Sequence, residues 1–210
     1  MKKILKVVVS FVISWFFKIY DYNTHIYITK IKNVLYSSWI KNVFKKCGNN
    51  FYVASPISIK GGDYIEIGNN FTGINNLRFE CWNEYLGMKF SPSLVIGNNV
   101  SMNNNIHIGC INKILIGDNV LFASNIFVTD HFHGYVDERD LNISPHFREL
   151  YSKGQVVIMD DVWIGENVTI MPNVTIGKSC VIGANSVVTN SFPDNSIIAG
   201  VPAKIIRKLN

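Results

Sequence analysis

An aliphatic residue recurs every six positions through Ile158, Ile164, Ile170, Ile176, Ile182 and Val188. Helices and ordinary strands give periods of 3.6 and 2, so this beat belongs to neither, and a short fixed repeat is the sign of a solenoid. Four residues after each of the first five stands Val162, Val168, Val174, Cys180 or Ser186, the second inward position of the unit. The residues between are rich in Gly, Asn and Asp, which tolerate the left-handed backbone of a sharp corner. Each hexad therefore predicts one short strand and one corner, and three hexads predict a triangular coil that buries its aliphatic column against the next coil.

The same beat runs earlier, less regularly. It marks Ile67, Gly73 and Phe79, then Ile96, Met102 and Ile108, then, after a two-residue slip at Ile111 to Lys113, Ile116, Phe122 and Val128. Two stretches break it. Residues 79–93 read as a loop or a strand extension on one edge, in which Glu80, Trp82, Glu84 and Tyr85 have the chemistry to stack on a sugar, or else form a plain exposed loop. Residues 129–155 form a long insertion, which a solenoid accepts only at a corner and which in compact domains is usually functional.

Before the coils, an apolar run from Val7 to Phe17 lies between Lys6 and Lys18. Bulky residues stand where a signal peptide would need a small-x-small cleavage site, and the run is shorter than the ~18 uncharged residues of a membrane-spanning helix. Residues 1–46 thus predict a helical arm, packing on its own protein, on a neighbouring subunit or peripherally on a membrane surface. The expected organisation is this arm, a β-helix over 47–202 carrying the loop 129–155, and a terminal cap over 203–210.

Composition narrows the partners. A chain of 210 residues with 48% hydrophobic residues suits one domain with a sizeable core. Its net charge of +5 fits an anionic cofactor or an acidic membrane, and lacks the dense basic stripe of a nucleic-acid binder. Cys47, Cys81, Cys110 and Cys180 show no zinc or CxxC spacing and read as reduced thiols of a cytoplasmic protein.

The chemistry concentrates in the long insertion, which holds His131, His133 and His146, three of the five histidines. Imidazole titrates near neutral pH and suits a general base, and Asp130 could orient it. Three histidines also raise zinc, through His107, His131 and His133, but the spacing is unlike that of histidine-bound zinc β-helices and no metal is expected.

Three segments, TDHFHGY, LYSKGQVVIMDDVWIGENV and AGVPAKIIRK, together with the hexads, resemble the hexapeptide-repeat acyltransferases, specifically the branch acting on sugars and polysaccharides. The resemblance implies an all-β fold, a left-handed parallel β-helix assembled as a homotrimer, with acetyl-coenzyme A as cosubstrate. It implies His131 as general base, and a saccharide acceptor contacted by Asn103, Asp130, His133 and Trp163. It implies a coenzyme A groove between subunits formed by Trp163, Gly165, Ala184, Thr189 and Asn190, with Lys204 and Arg207 near the nucleotide phosphates. The expected activity is acetyl transfer to a sugar hydroxyl of a surface polysaccharide or its precursor. Other acceptors, or a trimeric scaffold without catalysis, are the alternatives.

Overall fold

The computed structural model describes residues 2–135 and 137–209. The predicted coils are present as three sheets wrapped around one core, two of six strands and one of eight, parallel throughout except for the last strand of the eight. The hexad residues stack in register. One face carries Cys47, Ile67, Ile96, Ile116, Ile158 and Ile176. A second carries Val53, Gly73, Met102, Phe122, Ile164, Ile182 and Ile198. The third carries Ile59, Phe79, Ile108, Val128, Ile170 and Val188. From Ile67 onward nearly all of them are fully buried, so the six-residue beat is the spacing between faces of the prism. The arrangement fits a left-handed parallel β-helix.

Two of the three corners are built from asparagine. Asn50, Asn70, Asn99, Asn119 and Asp161 all take positive φ, as do Asn76, Asn105, Asn125, Asn167 and Asn185. This is the left-handed region in which Asn is tolerated better than other side-chain-bearing residues. Their side chains bond coil to coil, from Asn50 to Asn70, Asn99, Asn119 and Asp161 at 2.8 to 2.9 Å and from Asn76 to Asn105 and Asn125 at 2.8 and 2.7 Å. Each ladder satisfies polar groups that would otherwise compete for the backbone.

The third corner has no such ladder, and both interruptions leave from it. Residues 79–93, read above as a loop or strand extension, begin with the end of a coil strand, Arg78–Cys81, and then fold into a hairpin of Glu84–Tyr85 on Met88–Lys89. One coil further on, the tight corner Ile111–Asn112 holds the slip. One coil beyond that, the long insertion leaves the strand Ile126–Thr129, forms an antiparallel pair of Phe132–His133 with Leu150–Tyr151, and returns at Val156.

The arm is two helices, α1 (Lys2–Ile19) and α2 (Tyr22–Ile40). The Asp21 side chain caps α2 by accepting from the Thr24 N–H at 2.7 Å. α2 closes the amino end of the prism with polar contacts to the exposed strand edge. Ser37 Oγ donates to the Val53 carbonyl and accepts from its N–H, and Asn33 bonds Tyr52 and Ser55. At the other end, Ala203–Lys208 pairs antiparallel with Ser196–Gly200. Cys81, Cys110 and Cys180 are buried and Cys47 half-buried, all as free thiols.

Candidate active site

The strand Ile126–Thr129 ends at the third corner, and the next two residues turn sharply. The Thr129 hydroxyl fixes that turn, accepting from the His131 N–H at 3.2 Å and donating to the His131 carbonyl at 3.1 Å. Asp130 points inward and is fully buried. Its carboxylate accepts from the backbone N–H groups of Ile111 and Asn112 at 2.9 and 2.8 Å, the two residues of the tight corner one coil earlier. The Cys110 thiol lies 3.3 Å away as a further donor. A hydrogen bond with Cys81, burial and the Asp130 charge push that thiol's pKa well up, so it remains S–H.

The remaining contact is the one that matters chemically. Asp130 Oδ1 lies 3.0 Å from His131 Nδ1. A carboxylate oxygen accepts here, so Nδ1 carries the hydrogen of this contact, and in the neutral ring the lone pair lies on Nε2. The ring is largely buried, and Gly109 lies directly against it. A Cβ at Gly109 would stand 3.2 Å from His131 Cε1, so the glycine leaves room for the imidazole.

The ring opens into a cavity of about 510 Å³, within the range of small-molecule sites, roughly 300 to 1,000 Å³. Its wall comes from both interruptions and the strand face between them. Trp82 and Tyr85 stand on the first, His133, His146 and Phe132 on the second, and His107, Phe127 and Met171 on the coils. The two insertions touch. Tyr85 Oη donates to the His146 carbonyl at 3.0 Å, and its ring meets His133 edge-on at 5.4 Å. Trp82 packs edge-on against Tyr85, with Lys60 Nζ over its ring at 3.0 Å.

One side of the cavity is polar. Glu80 pairs with Arg78 at 2.8 Å and with His107 Nε2 at 3.2 Å. Burial pushes the Glu80 carboxyl up, but Arg78 and His107 outweigh it and hold it below the usual carboxylate range. Burial lowers the His107 pKa despite Glu80, and His133 is lowered by burial and by its neighbours His131 and His146. These imidazoles therefore favour the neutral form. Among the described residues no group of three or more His, Cys, Asp or Glu is arranged to hold a metal ion.

The residues anticipated from sequence fall into separate places. His131, Asp130 and His133 meet as described. Asn103 does not join them within one chain. Coil register sets Gly109 beside Thr129 and Glu80 beside Gly109, while Asn103 is exposed on the second face, its N–H bonded to the Phe122 carbonyl. Trp163 is likewise on the second face, 53% exposed, in the outward column with Leu121 and Val181; within one chain it is not a floor for the His131 cavity. Gly165 is buried and has a packing reason, since a Cβ there would meet the Ala184 backbone N at 2.7 Å. Ala184 is exposed beside it, and Lys204 and Arg207 are exposed on the last strand of the same sheet.

Thr189 and Asn190 sit elsewhere. They border a second cleft of about 470 Å³ together with Lys153, Phe132 and Met171. Phe132 and Met171 also line the His131 cavity, so the two spaces adjoin. Arg78, Gly109, Phe127 and Lys153 border these spaces without having been singled out from the sequence, where Glu80 was read as a possible sugar contact and His107 only as a possible zinc ligand. Glu80 and His107 carried a signal in hindsight, because both occupy outward positions of hexads that end at the interrupted corner.

Comparison with known proteins points to one family. Residues 155–190 match the family model described as bacterial transferase hexapeptide (six repeats). WbbJ of Escherichia coli (strain K12), provisionally named a lipopolysaccharide biosynthesis O-acetyl transferase, is 43% identical over 159 residues, 74% of this chain and 77% of that one. The galactoside O-acetyltransferase of the same organism is 32% identical over 173 residues, 82% of this chain and 68% of that one. Among solved structures, the hexapeptide-repeat acetyltransferase VCA0836 from Vibrio cholerae superposes with a TM-score of 0.53 at 27% identity, covering 85% of this chain and 81% of that one.

Proposed function

This chain belongs to the hexapeptide-repeat acyltransferases, and on that premise we propose that it moves an acetyl group from acetyl-coenzyme A to a sugar hydroxyl of a surface polysaccharide or its precursor. The observation that carries the reading is the His131–Asp130 pair at the mouth of an aromatic-walled cavity. Asp130, anchored by two backbone N–H groups, holds the imidazole in the tautomer whose Nε2 accepts a proton. His131 Nε2 then takes the proton from the acceptor hydroxyl as its oxygen attacks, and His131 returns that proton to the departing sulfur. The donor supplies an activated thioester.

The cavity's chemistry suits a saccharide. Trp82, Tyr85 and Phe127 offer apolar ring faces to the C–H side of a pyranose, and Glu80 with His107 offers acceptors and donors for hydroxyls. Such a mixture of apolar wall and few convergent polar groups fixes orientation. For the donor, the cleft of Thr189, Asn190 and Lys153 adjoins the His131 cavity through Phe132 and Met171. It can take an extended thiol-bearing arm, with Lys153 as a cation for phosphate.

The working unit we propose is a homotrimer. Trp163, Ala184 and Asn103 lie on the second face and His131, Thr189 and Asn190 by the third, so a neighbouring copy would bring its second face against the site. Lys204 and Arg207, on that same sheet, would meet the nucleotide end of the donor. Acetyl-coenzyme A sets the reaction in the cytoplasm. The test is a panel of acceptor saccharides incubated with acetyl-coenzyme A, reading free thiol. Saccharide-dependent thiol release is expected, and none with any sugar or glycoconjugate hydroxyl would point to a scaffold instead.

A further inference from the structure

We propose that α1 lies flat in the headgroup layer of a membrane rich in anionic lipid and tethers the enzyme there. This does not depend on the acetyl-transfer reading. No residue of α1 is buried, although it carries Ile4, Leu5, Val8, Val9, Phe11, Val12, Trp15, Phe16 and Ile19. An apolar surface of this extent on an 18-residue helix demands a cover.

Three observations say what covers it. The first is the angular distribution of its side chains. At 3.6 residues per turn, Lys2, Lys3, Lys6, Ser10, Ser14 and Lys18 all fall within about 160° of the helix circumference, and the nine apolar residues just named fill the opposite arc. Val7, Ile13 and Phe17 alone intrude on the polar side.

Second, the charge is partitioned along the chain. Residues 1–46 hold nine lysines and one acidic residue, Asp21, whereas residues 47–210 hold eleven basic and fourteen acidic residues. The arm is thus strongly cationic on a body that is slightly anionic, an asymmetry that points a negatively charged surface at the arm. It also opposes the rival cover, a bundle of α1 helices from several copies, because each copy would add four lysines and no acid to the bundle.

Third, no described helix is long and apolar enough to cross a membrane. An amphipathic helix with lysines along one side and Trp15, Phe11 and Phe16 along the other lies in the interface instead, its lysine stems reaching up to the headgroups. The helix α2 then serves as the strut. It is fixed to the prism through Asn33 and Ser37, so a membrane holding α1 holds the catalytic body close to lipid-linked acceptors.

The full chain is mixed with vesicles of phosphatidylcholine containing phosphatidylglycerol, or of phosphatidylcholine alone, and sedimented. Binding to the anionic vesicles that weakens as salt rises is expected, with brominated acyl chains quenching a fluorescence component absent from Trp15→Phe. Lys3→Gln with Lys6→Gln should weaken vesicle binding about thirtyfold, at about fivefold per lysine, and Val8→Asp with Val12→Asp should abolish it. Both double variants should keep the thiol release of the parent with soluble saccharides, because α1 buries nothing in the body. Vesicle binding that ignores lipid charge, or survives both double variants, overturns the proposal. So does an absence of binding together with a change of oligomeric state in Val8→Asp/Val12→Asp, which would make α1 a contact between copies.

Discussion

At the scale of single residues, the site separates one histidine from the others. His131 alone has a buried carboxylate on Nδ1, itself saturated by backbone donors of the adjacent coil. His107 has a carboxylate too, but Glu80 is shared with Arg78 and the ring packs at a tilt against Phe127, 4.9 Å between centroids. Burial keeps the His107 pKa below its ordinary value of about 6.5. The unfolded chain therefore binds this proton more readily than the folded one, so stability falls as pH drops below about 6.5 and levels off below the folded pKa. An NMR titration of the His107 ring should give a midpoint below that of a model peptide. A midpoint at or above it would mean that Glu80 dominates and that the ring is charged in the site. The sequence carried His131 and Asp130 plainly, since a TDH at the edge of the long interruption is local information. It could not carry the partners of Asp130, which are backbone groups of Ile111 and Asn112, nearly twenty residues away and indifferent to side-chain identity.

At the scale of elements, the two interruptions act together. Both leave the one corner that lacks an asparagine ladder, two coils apart, and they meet through Tyr85, His133 and His146. The hairpin of Glu84–Tyr85 and Met88–Lys89 then contributes, through Tyr85, to the wall of the His131 cavity rather than being an isolated excursion. Replacing Trp82 by Ala should raise KM for the saccharide about tenfold with little change in kcat, because a lost stacking face removes binding shared by ground and transition states. An unchanged KM for the saccharide would remove the hairpin from the acceptor site. The hexad period located both interruptions but not their meeting. Periodicity registers where a coil is broken, while contact between two loops depends on how many coils separate them. Asn103 shows a further limit, because the period sets it on the second face, while its place at the site depends on a neighbouring copy, which a period along one chain does not encode.

At the scale of the molecule, a rigid prism with a ladder of buried aliphatic side chains presents three faces, and the candidate residues lie on two of them. His131 and its cavity belong to the third face, Trp163 and Ala184 to the second. One chain alone does not unite them, which is the physical argument for an assembly in which faces of different copies meet. The sequence read the prism itself well, since every coil repeats the same six-residue rule, and gave no account of which faces would be covered. All of this rests on the role of His131. The most direct measurement is the rate of thiol release by His131→Ala with an active saccharide acceptor, alongside coenzyme A binding by the same variant. The account predicts a loss of about a hundred- to ten-thousand-fold in turnover with coenzyme A affinity unchanged; turnover near that of the parent would contradict it.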